Sequence, residues 1–166
     1  GAYEGKPLHF IGHLQKNKVK FVVGTAALIH SVDSVELAEK IDAAAKKLGI
    51  RQDILLEVNI GNEEAKSGFA PGELICAAEK ISHFSSVQVR GLMAIPPICA
   101  SPEENRPYFA QMKQLFIDIG AKKYDNIRMD FLSMGMSADY ETAIEEGANI
   151  VRVGTGIFGA RDYGTK

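Results

Sequence analysis

The chain has 166 residues, 46% of them hydrophobic and 24% charged, with a formal net charge of −2. This is an ordinary globular composition with enough apolar content for one sizeable core, and it predicts a single domain over residues 1–166. The absence of a long basic run argues against nucleic acid or an anionic membrane surface as a partner, so small molecules are favoured instead. Cys76 and Cys99 show neither metal-ligand spacing nor a disulfide framework, which fits a reducing cytoplasm. No apolar run reaches the ~18 residues of a membrane span, and the N-terminus has no signal-peptide pattern. It also lacks an initiator methionine, which points to a processed, tagged or trimmed start.

Apolar runs rich in β-branched or aromatic residues alternate with helical patterns along the chain, which predicts parallel strands joined by crossover helices. The strands are expected near Leu8–Gly12, Leu28–Val32, Ile54–Ile60, Val87–Ile95, Arg128–Ser133 and Ile150–Gly154. After the second strand, Asp33 with Glu36 resembles a capping box, Leu37, Ile41, Ala45 and Leu48 share one helical face, and Gly49 closes the helix. Pro71 opens a helix with the stripe Leu74, Ala78 and Ile81, and Pro107 opens another with Phe109, Met112, Leu115, Phe116 and Ile119. A short helix over Tyr140–Glu146 is stopped by Gly147. Six such strands fit either an open doubly wound sheet or part of a (β/α)8 barrel, which needs eight strands and typically about 250 residues.

In both architectures ligands bind at the C-terminal ends of the strands, where this chain collects His13, Asp33, Asn59, the loop Glu63–Gly68, Ser137 and Gly154-Thr155-Gly156. The turns Gly135-Met136-Ser137 and Gly154-Thr155-Gly156 can each present backbone N–H groups and a hydroxyl to one anion, which makes them a candidate phosphate cradle. Ser137 reads equally as a helix N-cap, and the paired glycines as a tight turn. Arg152 interrupts an apolar strand two residues before the cradle; alternation places it on the face of Gly154, opposite Val151 and Val153. An outward arginine paired with a helix carboxylate is the alternative. Lys66 is the best-placed rim lysine, while Lys16, Lys18 and Lys20 read as a solvated basic face. His9, His30 and His83 show no ligand spacing, and Met134 and Met136 read as core or pocket wall.

Five ordered motifs carry more than periodicity: His9-Phe10-Ile11-Gly12-His13-Leu14-Gln15-Lys16-Asn17-Lys18, Lys66-Ser67-Gly68, Arg90-Gly91-Leu92-Met93-Ala94-Ile95, Leu132-Ser133-Met134-Gly135-Met136-Ser137, and Val151-Arg152-Val153-Gly154-Thr155 with Phe158-Gly159-Ala160-Arg161. Together, from about Pro7 to Tyr163, they resemble the pyridoxal 5′-phosphate homeostasis protein family, also known as the proline synthase co-transcribed proteins. The resemblance implies an α/β fold, a (β/α)8 barrel like the N-terminal domain of alanine racemase, that holds pyridoxal 5′-phosphate (PLP) at its C-terminal rim. It implies that Ser137, Gly154 and Thr155 bind the phosphate, that Met136 lies against the cofactor, and that Arg152 faces the pyridine nitrogen. Asn59 and Lys66 are the further rim candidates. In that family the Schiff-base lysine lies on the first barrel strand, whereas this chain starts at what resembles the third. About six of eight strands are therefore expected, with the first two and that lysine missing; Lys66 and Lys18 match family motifs but not the Schiff-base position.

The expected function is non-catalytic PLP binding and cofactor homeostasis in the cytoplasm, with PLP-dependent apoenzymes as possible recipients. No metal and no catalytic residue are expected. The enzyme alternatives are a racemase-like PLP enzyme, which needs a further domain with a catalytic tyrosine, and a sugar-phosphate-binding barrel enzyme, for which Glu57 and Asp130 are the nearest acids. Exposed strand edges in an incomplete barrel predict self-association, against a monomer for the complete family fold.

Overall fold

The computed structural model describes residues 5–159; Ala160, Arg161 and Tyr163 of the sequence motifs lie outside the described residues. Six strands alternate with six α-helices: β1 (His9–Phe10), α1 (Val19–Val22), β2 (Leu28–Val32), α2 (Val35–Leu48), β3 (Gln52–Val58), α3 (Leu74–Ile81), β4 (Val87–Ala94), α4 (Arg106–Gly120), β5 (Ile127–Met136), α5 (Tyr140–Glu145), β6 (Ile150–Arg152) and α6 (Thr155–Phe158). Short 3₁₀ turns lead into α1, α3 and α4 at Lys16–Lys18, Pro71–Glu73 and Pro102–Asn105.

The strands form one sheet in the order β1-β2-β3-β4-β5-β6, and every neighbouring pair is parallel. This order separates the two architectures that periodicity left open. A doubly wound sheet reverses direction at a switch point, whereas a strictly sequential parallel order is that of a barrel wall. The two faces of the sheet differ accordingly. The large core lies between strands and helices and joins Ile54, Leu56 and Leu92 of the sheet to Leu37, Ile41 and Ile81 of α2 and α3 and to Phe109 and Met112 of α4. A second, small cluster of Leu28, Leu55 and Met93, with Phe131 and Ile150 packed on it, fills the concave side. Adjacent residues of one strand fall in different clusters, as the two-residue strand period requires. The chain forms an incomplete (β/α)8 barrel.

Several local expectations shift. The α2 N-cap is Ser34, not Asp33: Ser34 is extended, and its Oγ accepts from Leu37 N at 3.3 Å, while Asp33 Oδ1 accepts from the Ser34 hydroxyl at 2.9 Å. Glu36 does not close a capping box; it pairs with Lys16 and Lys40. Leu48 is exposed although Leu37, Ile41 and Ala45 of the same stripe are buried, because Gly49, in the left-handed conformation, ends the helix there. The fifth strand runs farther than expected, to Met136, and so delivers Ser137 directly to the rim.

Candidate functional site

The concave side is built in layers along the strands. At the N-terminal end, Arg90 bridges Asp53 and Asp130, with Nη1 2.5 Å from Asp53 Oδ2 and Nε 2.7 Å from Asp130 Oδ2, and lies over the Phe131 ring. The apolar layer of Leu28, Leu55 and Met93 seals this floor from the upper end. Above it the interior becomes polar, with His30, Glu57, Ser133 and Arg152. Asp130 therefore belongs to the floor, and only Glu57 of the two acids reaches the rim. Burial pushes the Glu57 carboxyl above its ordinary range, with Asp33 adding to the effect and His13 and Arg152 opposing it.

β5 and β6 bring the proposed phosphate and ring groups together. Met136 lies in register with Arg152 across the β5–β6 pair. Beyond the strand ends, Ser137 Oγ accepts from Gly154 N at 3.2 Å and from Gly156 N at 3.1 Å, so one hydroxyl oxygen occupies the focus of two converging N–H groups. That oxygen marks a position suited to an anionic oxygen, and the serine proton is left to donate. A Cβ built on Gly154 meets no heavy atom within 4 Å, so space is open beside the backbone.

Two residues that pattern reading passed over hold this turn in place. Asp139 Oδ1 accepts from Met136 N at 2.7 Å, and Oδ2 accepts from Asn105 Nδ2 at 2.8 Å. Arg106 then ties the start of α4 to Glu145 and Glu146 at the end of α5. Gly135 has φ of +90°, and a Cβ there would lie 2.6 Å from Ala143 Cβ, so α5 packs directly on the turn.

Arg152 turns into the barrel. Nη1 donates to Ser133 Oγ at 2.6 Å and Nη2 to Ala94 O at 2.9 Å, which leaves three of its five N–H groups uncommitted among these contacts. Burial pulls the guanidinium down to about 10, against the opposing carboxylates of Glu57 and Asp139, so it remains a cation at neutral pH. No helix carboxylate pairs with it among the described residues, which removes the outward-arginine alternative.

Asn59 and Lys66 occupy a neighbouring cavity of about 400 Å³, shared with Glu57, Ser31 and Ile95. Asn59 is committed to its own loop: Nδ2 donates to Glu63 O at 2.8 Å and Lys66 O at 3.2 Å, and Oδ1 accepts from Glu63 N at 3.0 Å. Lys66 Nζ pairs with Glu63 Oε1 at 2.6 Å and donates to Pro96 O at 3.1 Å. Met136 lines a second cavity of about 230 Å³ with Asp139 and the loop from Ile95 to Pro102. No group of histidine, cysteine and carboxylate side chains suited to a metal ion occurs among the described residues.

The most strongly perturbed histidine is His30. Burial, with smaller contributions from His9 and Arg152, lowers it to about 4. The unfolded chain takes up this proton near pH ~6.5, so the stabilisation is fully present above that pH and is lost as the pH falls to about 4. The loss amounts to roughly 3 kcal/mol. Urea unfolding between neutral pH and about pH 4.5 is expected to show a smaller loss of stability in His30→Gln than in the parent chain.

Comparison with known proteins agrees with the incomplete barrel fold. Residues 2–162 match the alanine racemase N-terminal domain family. The chain is 49% identical over 155 residues to the pyridoxal phosphate homeostasis protein of Aquifex aeolicus, covering 93% of this chain and 67% of that one. It spans about two thirds of the length of the curated relatives it matches. The structure of PipY from Synechococcus elongatus with PLP bound superposes with a TM-score of 0.82 at 35% identity, over 93% of this chain and 71% of that one. Alanine racemase from Clostridium difficile shares the fold, with a TM-score of 0.72 at 18% identity over 95% of this chain and 40% of that one. The chain thus belongs to the alanine racemase N-terminal domain family and, within it, to the pyridoxal phosphate homeostasis proteins.

Proposed function

We propose that this chain binds PLP at the C-terminal rim of its barrel and serves cofactor homeostasis without catalysing a reaction. The observation that carries this reading is the pairing of two features at one strand junction: the Ser137 hydroxyl at the focus of Gly154 N and Gly156 N, and a half-buried, charged Arg152 with N–H groups to spare. Ser137, Gly154 and Thr155 take the phosphate, Met136 flanks the ring, and Arg152 donates to the ring nitrogen. The PLP-bound structure of PipY supports this assignment of ligand.

PLP supplies an electron sink when its ring nitrogen is protonated. An arginine has no proton acceptor to offer that nitrogen and remains a cation itself, so it favours the unprotonated ring and a weak sink. Such a site suits holding and handing over the cofactor, with PLP-dependent apoenzymes as recipients and the cytoplasm as the setting. Asn59 shapes the neighbouring loop, and Lys66 lines the same cavity as a rim amine. Phe21 of α1 and Ile157 and Phe158 of α6 are exposed, which supports self-association of this chain.

Ser137→Ala tests the phosphate assignment. Its PLP affinity is expected to fall about tenfold, the ~1.4 kcal/mol of one good hydrogen bond to a charged group, while pyridoxal, which lacks the phosphate, binds the variant as it binds the parent. Equilibrium dialysis of both compounds decides the matter; an equal loss for both would contradict the assignment.

A further inference from the structure

Arg152 heads a line of hydrogen bonds that crosses the barrel interior and reaches the outer strand β1. Its Nη1 donates to Ser133 Oγ at 2.6 Å, Ser133 Oγ lies 3.0 Å from His30 Nδ1, and His30 Nε2 lies 3.1 Å from His9 Nδ1. The four residues come from β6, β5, β2 and β1. Ser133 and His30 are buried, with exposures of 0% and 1%, so water cannot substitute for a missing partner.

The proton inventory gives the line one direction. A guanidinium only donates, so Ser133 Oγ accepts from Arg152; among the described contacts His30 Nδ1 is the one acceptor left for the buried serine proton, and the order that leaves no proton unpaired has Ser133 donating to it. That nitrogen then carries a lone pair, and the proton of the neutral imidazole sits on Nε2, where it donates to His9 Nδ1. Burial keeps His30 neutral, as this order requires. A proton added to His30 Nδ1 would leave the Ser133 hydroxyl proton without an acceptor among these contacts and place a second cation beside Arg152.

The second anchor of Arg152 is Ala94 O of β4, bonded to the other terminal nitrogen. Two contacts on different nitrogens, from two strands, fix the rotation of the guanidinium plane. Either contact alone would allow it to pivot.

We propose that Ser133 is a positioning residue for Arg152, itself oriented by His30, and that this pair sets the aim of the uncommitted guanidinium N–H groups toward the ring nitrogen of PLP. The inference rests on the cofactor reading above and adds residues that do not touch the ligand. It explains why a histidine from β2 and a serine from β5 are buried together where an apolar pair would fill the space without desolvation.

The test compares PLP with its deaza analogue, in which the ring nitrogen is replaced by C–H, in the parent chain, Ser133→Ala and Ser133→Thr. The parent is expected to prefer PLP. Ser133→Ala is expected to lose about fivefold of that preference, as for one net hydrogen bond, while Ser133→Thr, which keeps the hydroxyl, retains it. A general loosening of the barrel would weaken both ligands equally, so an unchanged preference in Ser133→Ala would overturn the inference alone. A parent chain that binds neither compound would overturn the cofactor reading and the inference with it; one that binds both without preference would remove the role of Arg152 at the ring. Nitrogen NMR of the ligand-free parent adds an independent readout. His30 is expected as the Nε2–H tautomer, and finding its proton on Nδ1 would contradict the line of donors.

Discussion

Gly91→Ala is expected to destabilise the fold by about 3 kcal/mol or more, a large share of the roughly 5–15 kcal/mol that holds a domain together. Gly91 has φ of +149°, and a Cβ built there lies 1.8 Å from Phe131 O and 2.7 Å from Phe131 C. Both clashing atoms belong to the backbone of β5, which pairs with β4 at this point, so no side chain can move aside. Relief requires β4 and β5 to separate between the Arg90 floor and the apolar layer above it. The conformational cost of an alanine at this φ adds about 1–3 kcal/mol to the cost of the clash. Gly154→Ala is the control: its φ is −109° and its Cβ would meet nothing within 4 Å, so denaturant unfolding should find it close to the parent. Equal stability of Gly91→Ala and the parent would show that the β4–β5 register differs from the one described.

Arg152→Leu is expected to lower PLP affinity by about a hundredfold, the combined effect of a lost charge-assisted bond to the ring nitrogen and a lost favourable potential near the phosphate. Its effect on folding is smaller, because removal of a half-buried cation relieves desolvation while Ser133 Oγ and Ala94 O each lose a donor. Arg152→Lys is not expected to restore binding, since a single ammonium cannot hold Ser133 and Ala94 from two nitrogens and still offer a donor in the same plane. A PLP titration followed by its visible absorbance measures all three chains. Unchanged affinity in Arg152→Leu would remove Arg152 from the site.

Much of the architecture is legible in the sequence because parallel strands buried on both faces appear as continuous apolar runs, and the helices between them keep their own period. All six strands lie where those runs predict, and the rim motifs fall at strand ends for the same reason. Strand limits are less legible. Nothing local announces that β5 continues to Met136, because the residues after Ser133 are defined by the packing of Gly135 against α5. Two adjacent capping residues compete at the start of α2, and in the fold Ser34 Oγ takes the Leu37 N–H while Asp33 accepts from the Ser34 hydroxyl, a division that sequence spacing does not announce.

The site divides in the same way. Ser137, Gly154 and Arg152 stand out as polar or glycine residues interrupting apolar strands. Their supports do not. Ser133 and His30 are 103 positions apart, and Asn105 and Asp139 are 34 apart, so each reads alone as an ordinary polar residue. The one available signal was strand parity, which places His30, Ser133 and Arg152 on the interior face once the sheet order is known.

The most direct measurement is an amide and guanidinium NMR titration of the chain with PLP. Shifts are expected to concentrate at Met136, Ser137 and Gly154–Gly156 and at the Arg152 side chain, with pyridoxal leaving the Gly154–Gly156 amides largely unmoved. Shifts confined to the Arg90 end of the barrel, or no saturable shift at the rim, would contradict PLP binding at this site.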